Sequence, residues 1–391
     1  MIYLDNAATT KVAEDVFAAM KPYFCEQYAN PSAIYTFAGK AMKAVDAARK
    51  SAAELIGAQA NEIYFTAGGS ESDNWAVKAA AETYKAKGKH IITSTIEHHA
   101  VLHTCQYLEK QGYEVTYVNV DEHGVVKLDE LAAAVREDTV LISIMAANNE
   151  IGTIQPLKEI GEIARKNGIL FHTDAVQAYG HISLNVDALG IDMLSASGHK
   201  MHGPKGIGLL YIRKGVRIGA YVHGGAQERS RRAGTLNTPG IVGMGAAACL
   251  AASNLGENMK KVAALRDYLI RRVLEEIPYS RLNGHPVDRL PGNASFCFRF
   301  IEGESLLILL DQKGICASSG SACTSGSLDP SHVLLAIGLP HETAHGSLRL
   351  SLSEETTKEE IDFTVEELKK IVERLRSISP LYEDFCRNQE G

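Results

Sequence analysis

From residue 61 onward the chain alternates short β-branched runs with amphipathic helical stretches, and this alternation narrows the fold more than any other feature. Residues 62–66, 90–96, 115–120, 140–146 and 169–173 read as strands. Helical patterns over 71–85, about 100–111, 128–136 and 157–166 separate them, and two further strand-like runs, 192–196 and 206–212, close the series. Strands alternating with helices mean βαβ units and a largely parallel sheet. Sheets of that kind bind ligands in the crevice at the carboxyl ends of their strands.

A long helix from about 243 to 276 carries the chain out of this region, and the texture then changes. Residues 293–299 and 346–351 look like strands of an antiparallel layer, with helices over 305–312 and 358–376. The expected organisation is an N-terminal segment 1–12 packing with the small domain, a large domain 13–255 and a smaller α+β domain 256–391. The composition is that of an ordinary globular chain: 391 residues, 45% hydrophobic and 22% charged, with a net charge of −7. Without a run of Lys or Arg, a nucleic-acid stripe is not expected. The start Met1-Ile2-Tyr3-Leu4-Asp5 has neither the basic nor the apolar part of a signal peptide. The Gly- and Ala-rich run 241–252 is too short to span a bilayer, so a cytoplasmic protein off the membrane is expected. Seven scattered cysteines form no CxxC pair, which argues against a disulfide framework or zinc knuckle and for a single reactive thiol.

Three segments at strand ends carry chemistry. In Thr66-Ala67-Gly68-Gly69-Ser70-Glu71-Ser72-Asp73, two glycines allow a tight turn with exposed N–H groups ahead of a helix, which is a phosphate site. Read alone, Ser70 with Asp73 three residues on reads as a capping box. The strand Phe171-His172-Thr173 ends in Asp174, either a buried carboxylate needing a cation or a helix cap. Ser195-Ala196-Ser197-Gly198-His199-Lys200 sets a hydroxyl, an imidazole and a lysine at a third strand end; Lys200 read alone is a surface lysine. Together, a phosphate cradle, an Asp and a Lys make the set that pyridoxal phosphate requires. The lysine holds it covalently, the Asp keeps its pyridine nitrogen protonated, and the helix start binds its phosphate.

Further motifs make the chain resemble the cysteine desulfurases, class-V aminotransferase relatives of the iron–sulfur cluster assembly and nitrogenase-maturation type. They are Tyr3-Leu4-Asp5-Asn6-Ala7-Ala8-Thr9-Thr10, Glu97-His98-His99-Ala100, Asn148-Asn149-Glu150-Ile151-Gly152, Ser197-Gly198-His199-Lys200, Arg232-Ala233-Gly234-Thr235 and Ser318-Ser319-Gly320-Ser321-Ala322-Cys323-Thr324. The ordered set runs nearly end to end. The resemblance implies an α/β chain of the type I fold of pyridoxal-phosphate-dependent transferases. It assigns Lys200 to the cofactor, Asp174 to the pyridine nitrogen, Gln177 to the phenolic oxygen and His98 to stacking on the ring. Ser70, Ser197 and His199, with the Gly69 backbone, go to the phosphate. A threonine matching Thr235 reaches the phosphate across a dimer interface, implying a homodimer. Asn149 and Arg349 would hold the substrate carboxylate. Ser70 stands where most relatives have threonine, and the hydroxyl is kept.

By the same resemblance Cys323 accepts sulfur from L-cysteine as a persulfide, leaving L-alanine, and Lys200 moves the α-proton. His98 is a candidate base for the thiol. Cys323 sits among small polar residues with little to pack, so its loop is expected to be mobile. Cys297, between Phe296 and Phe298, reads as core, and Cys316 likewise. The sulfur acceptor, an iron–sulfur scaffold protein or a tRNA-thiolation enzyme, stays open. Selenocysteine lyase and aminotransferase activity remain as alternatives; a non-catalytic binding subunit would have lost Lys200 or Cys323. No metal is expected. His341-Glu342-Thr343-Ala344-His345 spells HExxH, but Pro340 and Gly346 leave room for one helical turn at best. His99 and His103, four apart, lack a third ligand in sequence.

Overall fold

The computed structural model describes residues 1–319 and 330–390; Cys323 lies outside the described residues. In chain order the strands are β1 (Ile2–Tyr3), β2 (Ile63–Thr66), β3 (His90–Ser94), β4 (Glu114–Val118), β5 (Thr139–Ser143), β6 (Leu170–Asp174), β7 (Met193–Ser197) and β8 (Gly208–Ile212). Then come β9 (Ser280–Asn283), β10 (Asn293–Phe298), β11 (Ile315–Cys316) and β12 (Ser347–Ser351). Strands β2 to β8 form one seven-stranded sheet in the order β2-β8-β7-β6-β5-β3-β4. Neighbours from β4 through β7 run parallel, as the alternation predicts. β8 is antiparallel to both β7 and β2, because the short link after β7 holds no crossover helix and can only return the chain alongside.

β3, β5, β7 and β8 are buried along their whole length, as strands covered on both faces must be. On one face Trp75, Ala76 and Ala80 of the helix Gly69–Tyr84 pack with Val101 and Cys105 of the helix His99–Glu109. On the other face lie Val45, Ala48 and Ala52 of the helix Thr36–Glu54, Ile160 of Leu157–Lys166, and Ile241, Met244 and Ala248 of Thr238–Glu276. The last helix begins five residues before the predicted 243, because the Asn237 side chain caps it by accepting from the Gly240 N–H. By length and composition it would pass for a membrane span, yet most of its residues from Thr238 to Ala248 are buried against protein. A Cβ on Gly245 would lie 2.4 Å from Ala48, so the glycine is what lets this helix touch Thr36–Glu54.

The second layer is the antiparallel sheet β12-β10-β9. Phe296, Phe298, Leu348 and Leu350 from it pack on Leu306 of the helix Gly303–Asp311 and on Ile361, Val365 and Leu368 of Lys358–Ser377. The N-terminal segment joins this core: Leu4 is buried in it, and β1 pairs in parallel with β11. Cys297 is buried as expected, whereas Cys316 on β11 is only half-buried. The HExxH run forms a helix of five residues, His341–His345, ending at Gly346 ahead of β12.

Candidate active site

β3, β5, β6 and β7 point their carboxyl ends the same way, and each delivers one functional segment to the same crevice. The turn after β3 brings His98, the loop after β5 Asn149, the end of β6 Asp174, and β7 ends in Ser197 followed by the tight turn Gly198–Lys200. The opposite wall is β12, whose buried Arg349 reaches in. A cavity of about 350 Å³ results. Its lining contains Gly69, Ser70, His98, Asn149, Asp174, Gln177, Ser197, His199, Lys200 and Arg349. Thr235 is exposed and lies outside that lining.

Several side chains are pre-positioned. Lys200 Nζ donates to the backbone carbonyls of Ala7 (2.6 Å) and Ala8 (2.7 Å), and Gln177 Nε2 donates to the same Ala7 carbonyl at 3.0 Å. The N-terminal segment therefore closes one side of the cavity, a role no periodicity announces. Arg349 donates through Nη1 to the Asn149 carbonyl (2.8 Å) and through Nη2 to Asp5 Oδ1 (3.0 Å), while its buried Nε has no hydrogen-bond partner among the described residues. His98 caps the helix His99–Glu109: its Nδ1 accepts from the Ala100 N–H, which leaves the proton of the neutral ring on Nε2. Asp174 Oδ1 accepts from the Val176 N–H at 2.9 Å and so holds a turn rather than capping a helix.

The phosphate cradle differs from the capping-box reading. The helix starts at Gly69 with Gly68 as its cap, so Ser70 lies inside the first turn and is exposed. Ser70 and the helix start, whose first backbone N–H groups have no partner within the helix, line a recess with Ser197, His199, Gly206 and Lys205. No local pattern marks Lys205 in the sequence; only the fold brings it there. A Cβ on Gly69 would lie 2.5 Å from Val176 Cγ2, which makes glycine necessary at that position. Asp73 is no cap either. It is buried beside the buried His172, with Oδ1 3.7 Å from His172 Nε2, and it lines the cavity with Asp174.

The electrostatics are those of a site short of cations. Burial pushes the Asp174 carboxyl up, and His98, then the Val176 N–H, then Lys200 pull it back. Asp73 is pushed well up by burial and by the nearby Asp174. Burial carries Glu97 to about 8. His199 falls to about 4, chiefly through burial and then through Lys200 and Lys205, so it is a neutral imidazole at pH 7. A ligand with a cationic ring nitrogen, an aldehyde and a phosphate suits this donor set: a carboxylate lacking a full counter-charge, a lysine, and a helix start flanked by hydroxyls and Lys205. The residues fit pyridoxal phosphate.

Glu97 gives a test of this electrostatic reading. Its Oε1 accepts from Ser94 Oγ (2.6 Å) and the Met145 N–H (3.0 Å), and its buried Oε2 has no partner among the described residues. Between its ordinary value near 4.5 and about 8, the folded protein keeps a proton that the unfolded chain has released. Glu97 thus lowers stability progressively as pH rises through that window, and by a constant amount above it. Glu97→Gln keeps an acceptor for both donors and is expected to match wild type near pH 4.5 and to melt higher than wild type near pH 8. Thermal denaturation at the two pH values checks this, and a gap that does not widen with pH refutes it.

Other sequence signals resolve simply. His332 comes within 5.0 Å of His99, and His99 stacks on His103 at 4.9 Å between ring centroids. Among the described residues no group of His, Cys, Asp or Glu is arranged to hold a metal.

Comparison with known proteins gives a consistent pattern. The family described as aminotransferase class-V matches residues 2–363. The chain is 59% identical to the cysteine desulfurase IscS of Methanosarcina thermophila over 97% of its own length and 94% of that protein's. It is 54% identical to the cysteine desulfurase IscS of Clostridium botulinum, covering 100% of this chain and 98% of the other. Among solved structures, a NifS-like protein superposes with a TM-score of 0.90 at 41% identity, over 96% of this chain and all (100%) of that one. A structure described as SspA in complex with cysteine gives 0.81 at 38% identity, covering 91% and 100%.

Proposed function

From the premise that this chain belongs to the class-V aminotransferase family and is a pyridoxal-phosphate-dependent cysteine desulfurase, we propose how its own residues divide the work. Lys200 holds the cofactor, Asp174 faces its ring nitrogen, Gln177 its phenolic oxygen, and His98 stacks on the ring. Ser70, Ser197, His199 and the Gly69 backbone take the phosphate. Asn149 and Arg349 take the carboxylate of L-cysteine, a task that suits a guanidinium with its fixed fork of donors. When bound, the cofactor supplies an electron sink for the substrate's α-carbon.

The observation that carries this reading is the single cavity that all ten of those residues line. Once the substrate's amino group has taken its place on the cofactor, the freed Lys200 Nζ would be held by the carbonyls of Ala7 and Ala8 at a point from which it removes the α-proton. Cys323, as a thiolate, forms a bond to the substrate sulfur while the substrate's C–S bond breaks. The carbon left behind is protonated, so L-cysteine becomes L-alanine and Cys323 carries a persulfide. With Nδ1 engaged by the Ala100 N–H and the proton on Nε2, neutral His98 offers the incoming thiol a hydrogen-bond donor, and serves as its base only if the Ala100 N–H releases Nδ1. What supports Cys323 in this role is the anchoring of the chain on either side of it. Upstream, the Ser318 N–H donates to the Arg349 carbonyl at 3.3 Å. Downstream, Ser331 Oγ donates to Glu150 at 2.5 Å and His332 Nε2 to the Glu97 carbonyl at 3.0 Å. Cys323 lies four positions after Ser319, a reach of at most about 14 Å.

The protein works as a homodimer, and Thr235 of each protomer completes the phosphate site of its partner. Exposed Phe17, Phe24, Tyr28, Ile34, Tyr35 and Phe37, all within about twenty residues of chain and with Tyr28 edge-on to Phe37, support this, since exposed apolar side chains in such number suit an interface. The persulfide passes to an acceptor protein, an iron–sulfur scaffold or a tRNA-thiolation enzyme. A cytoplasmic, reducing location is supported by the described cysteines, all of them free thiols.

The test is the assay of L-cysteine with a thiol reductant and no keto acid: alanine and sulfide appear in equal amounts. A requirement for a keto acid would overturn the desulfurase reading in favour of transamination. Arg349→Gln is expected to raise KM for L-cysteine by about 10- to 100-fold with a smaller effect on kcat, the size of a lost charge-assisted hydrogen bond. An unchanged KM would remove Arg349 from the carboxylate site.

A further inference from the structure

The phosphate cradle is joined to one distant part of its own chain. Residues 219–236 leave the sheet after β8 and return to the helix Thr238–Glu276, with Thr235 near the end of the excursion. Two pins hold it. At the first, Glu228, Arg229 and Ser230 are consecutive left-handed residues (φ 44°, 55° and 61°), a conformation that costs non-glycine residues energy and persists only where the surroundings impose it. Arg49 imposes it with two hydrogen bonds of 2.7 Å to the Glu228 carboxylate, which also accepts from the Phe65 N–H of β2. At the second pin, Arg232 donates through Nε and Nη2 to the two oxygens of Glu71 at 2.8 and 3.2 Å. Glu71 Oε2 also accepts from the Ala67 N–H, so one carboxylate ties both ends of the Ala67–Glu71 cradle to Arg232. Arg232 is in turn fixed to the excursion's other limb, where the Ala233 N–H donates to the Val222 carbonyl. Thr235 lies only three positions further on.

We propose that Glu71 and Arg232 are positioning residues that couple the two cofactor sites of the dimer, by fixing the segment each protomer lends to its partner onto that protomer's own phosphate cradle. This rests on the reading that Thr235 serves the partner's phosphate site. The cradle and the lent threonine then form one rigid unit, and loosening the pair acts at both sites: locally through Ala67 and Ser70, and across the interface through Thr235.

Mixed dimers with two affinity tags separate these effects. One protomer keeps the native sequence and alone shows the visible absorption of lysine-bound cofactor. The other carries Lys200→Ala in every case, with nothing further as reference, with Thr235→Val, or with Glu71→Gln. The readout is the rate at which the native protomer's site loses cofactor after dilution into cofactor-free buffer. Thr235→Val across the interface is expected to speed the loss about tenfold, and Glu71→Gln about three- to tenfold, with the melting temperature of the cofactor-free dimer unchanged. Adding Arg232→Glu to Glu71→Arg in the same protomer is expected to bring the rate back to within about twofold of the reference. If Thr235→Val speeds the loss and Glu71→Gln leaves it at the reference, the coupling is wrong while the Thr235 reading stands. If neither has an effect, the Thr235 reading falls and the coupling with it. Should Glu71→Gln lower the melting temperature, Arg232→Lys takes its place under the same criteria.

Discussion

Cys323→Ser is expected to end the release of both alanine and sulfide from L-cysteine, a loss of at least about a thousandfold, while the enzyme still binds its cofactor. The size follows from chemistry. A thiol of ordinary pKa, about 8.5, is a few per cent thiolate at pH 7, and the thiolate is the nucleophile that can form a bond to sulfur. A serine hydroxyl of nearly the same shape is not ionised at that pH and makes no stable counterpart of a persulfide. No other cysteine among the described residues is placed to stand in, because none lines the cavity. Burial also pushes Cys297 up to about 11 and Cys105 up to about 12. The measurement is alanine and sulfide formed by wild type and variant, with the visible absorption of bound cofactor as the control for folding. Equal alanine from both proteins would mean that the thiol is not the sulfur acceptor, and a lyase route, with sulfur leaving directly, would take its place.

The parts of this site that could be read from the sequence are those that local chemistry fixes. Lys200, Asp174 and the Gly68-Gly69 turn each follow a strand-like run, and a parallel sheet sends all such ends to one crevice whatever the order of its strands. Strand direction is another matter. The run 206–212 has the same β-branched texture as the parallel strands, and only the short link from β7 makes β8 antiparallel. The helix Thr36–Glu54 had a readable signal in its buried Ala38, Ala41, Val45, Ala48 and Ala52, spaced three and four apart. Asp73 had none. Its spacing from Ser70 fits a capping box, and only packing against β6 and β7 turns it inward to His172. Lys205, the carbonyls of Ala7 and Ala8, and the Glu71–Arg232 pin are tertiary facts, with sequence separations of over a hundred residues in all but the first. β1 and β11, two residues each, are too short for any periodicity and exist because they pair.

Asp174→Asn is expected to lower kcat for alanine formation by about a thousandfold and to leave the fold intact. Asparagine keeps the shape and an oxygen that can accept from the Val176 N–H, so the change removes little but the negative charge. A charge pair at about 4 Å under an effective dielectric near 20 is worth about 4 kcal/mol, which corresponds to about a thousandfold in rate when the charge is needed in the transition state. In this protein the carboxylate is costly to hold: burial raises it, and Asp73 and Glu97 lie close enough for each to be raised by Asp174. A protein that retains such a group gains something in return, and on the proposed assignment of Asp174 that is the cation of a protonated ring nitrogen. Asp73→Asn is the matched control. It makes the same chemical change one step behind Asp174, at a carboxyl that burial and Asp174 push well up, and it is expected to stay within about tenfold of wild type. Steady-state rates for the two variants, with cofactor content measured for each, decide the matter. If Asp174→Asn is no slower than Asp73→Asn, the negative charge at the end of β6 is not what drives the chemistry, and the cavity's shortage of cations would need another explanation.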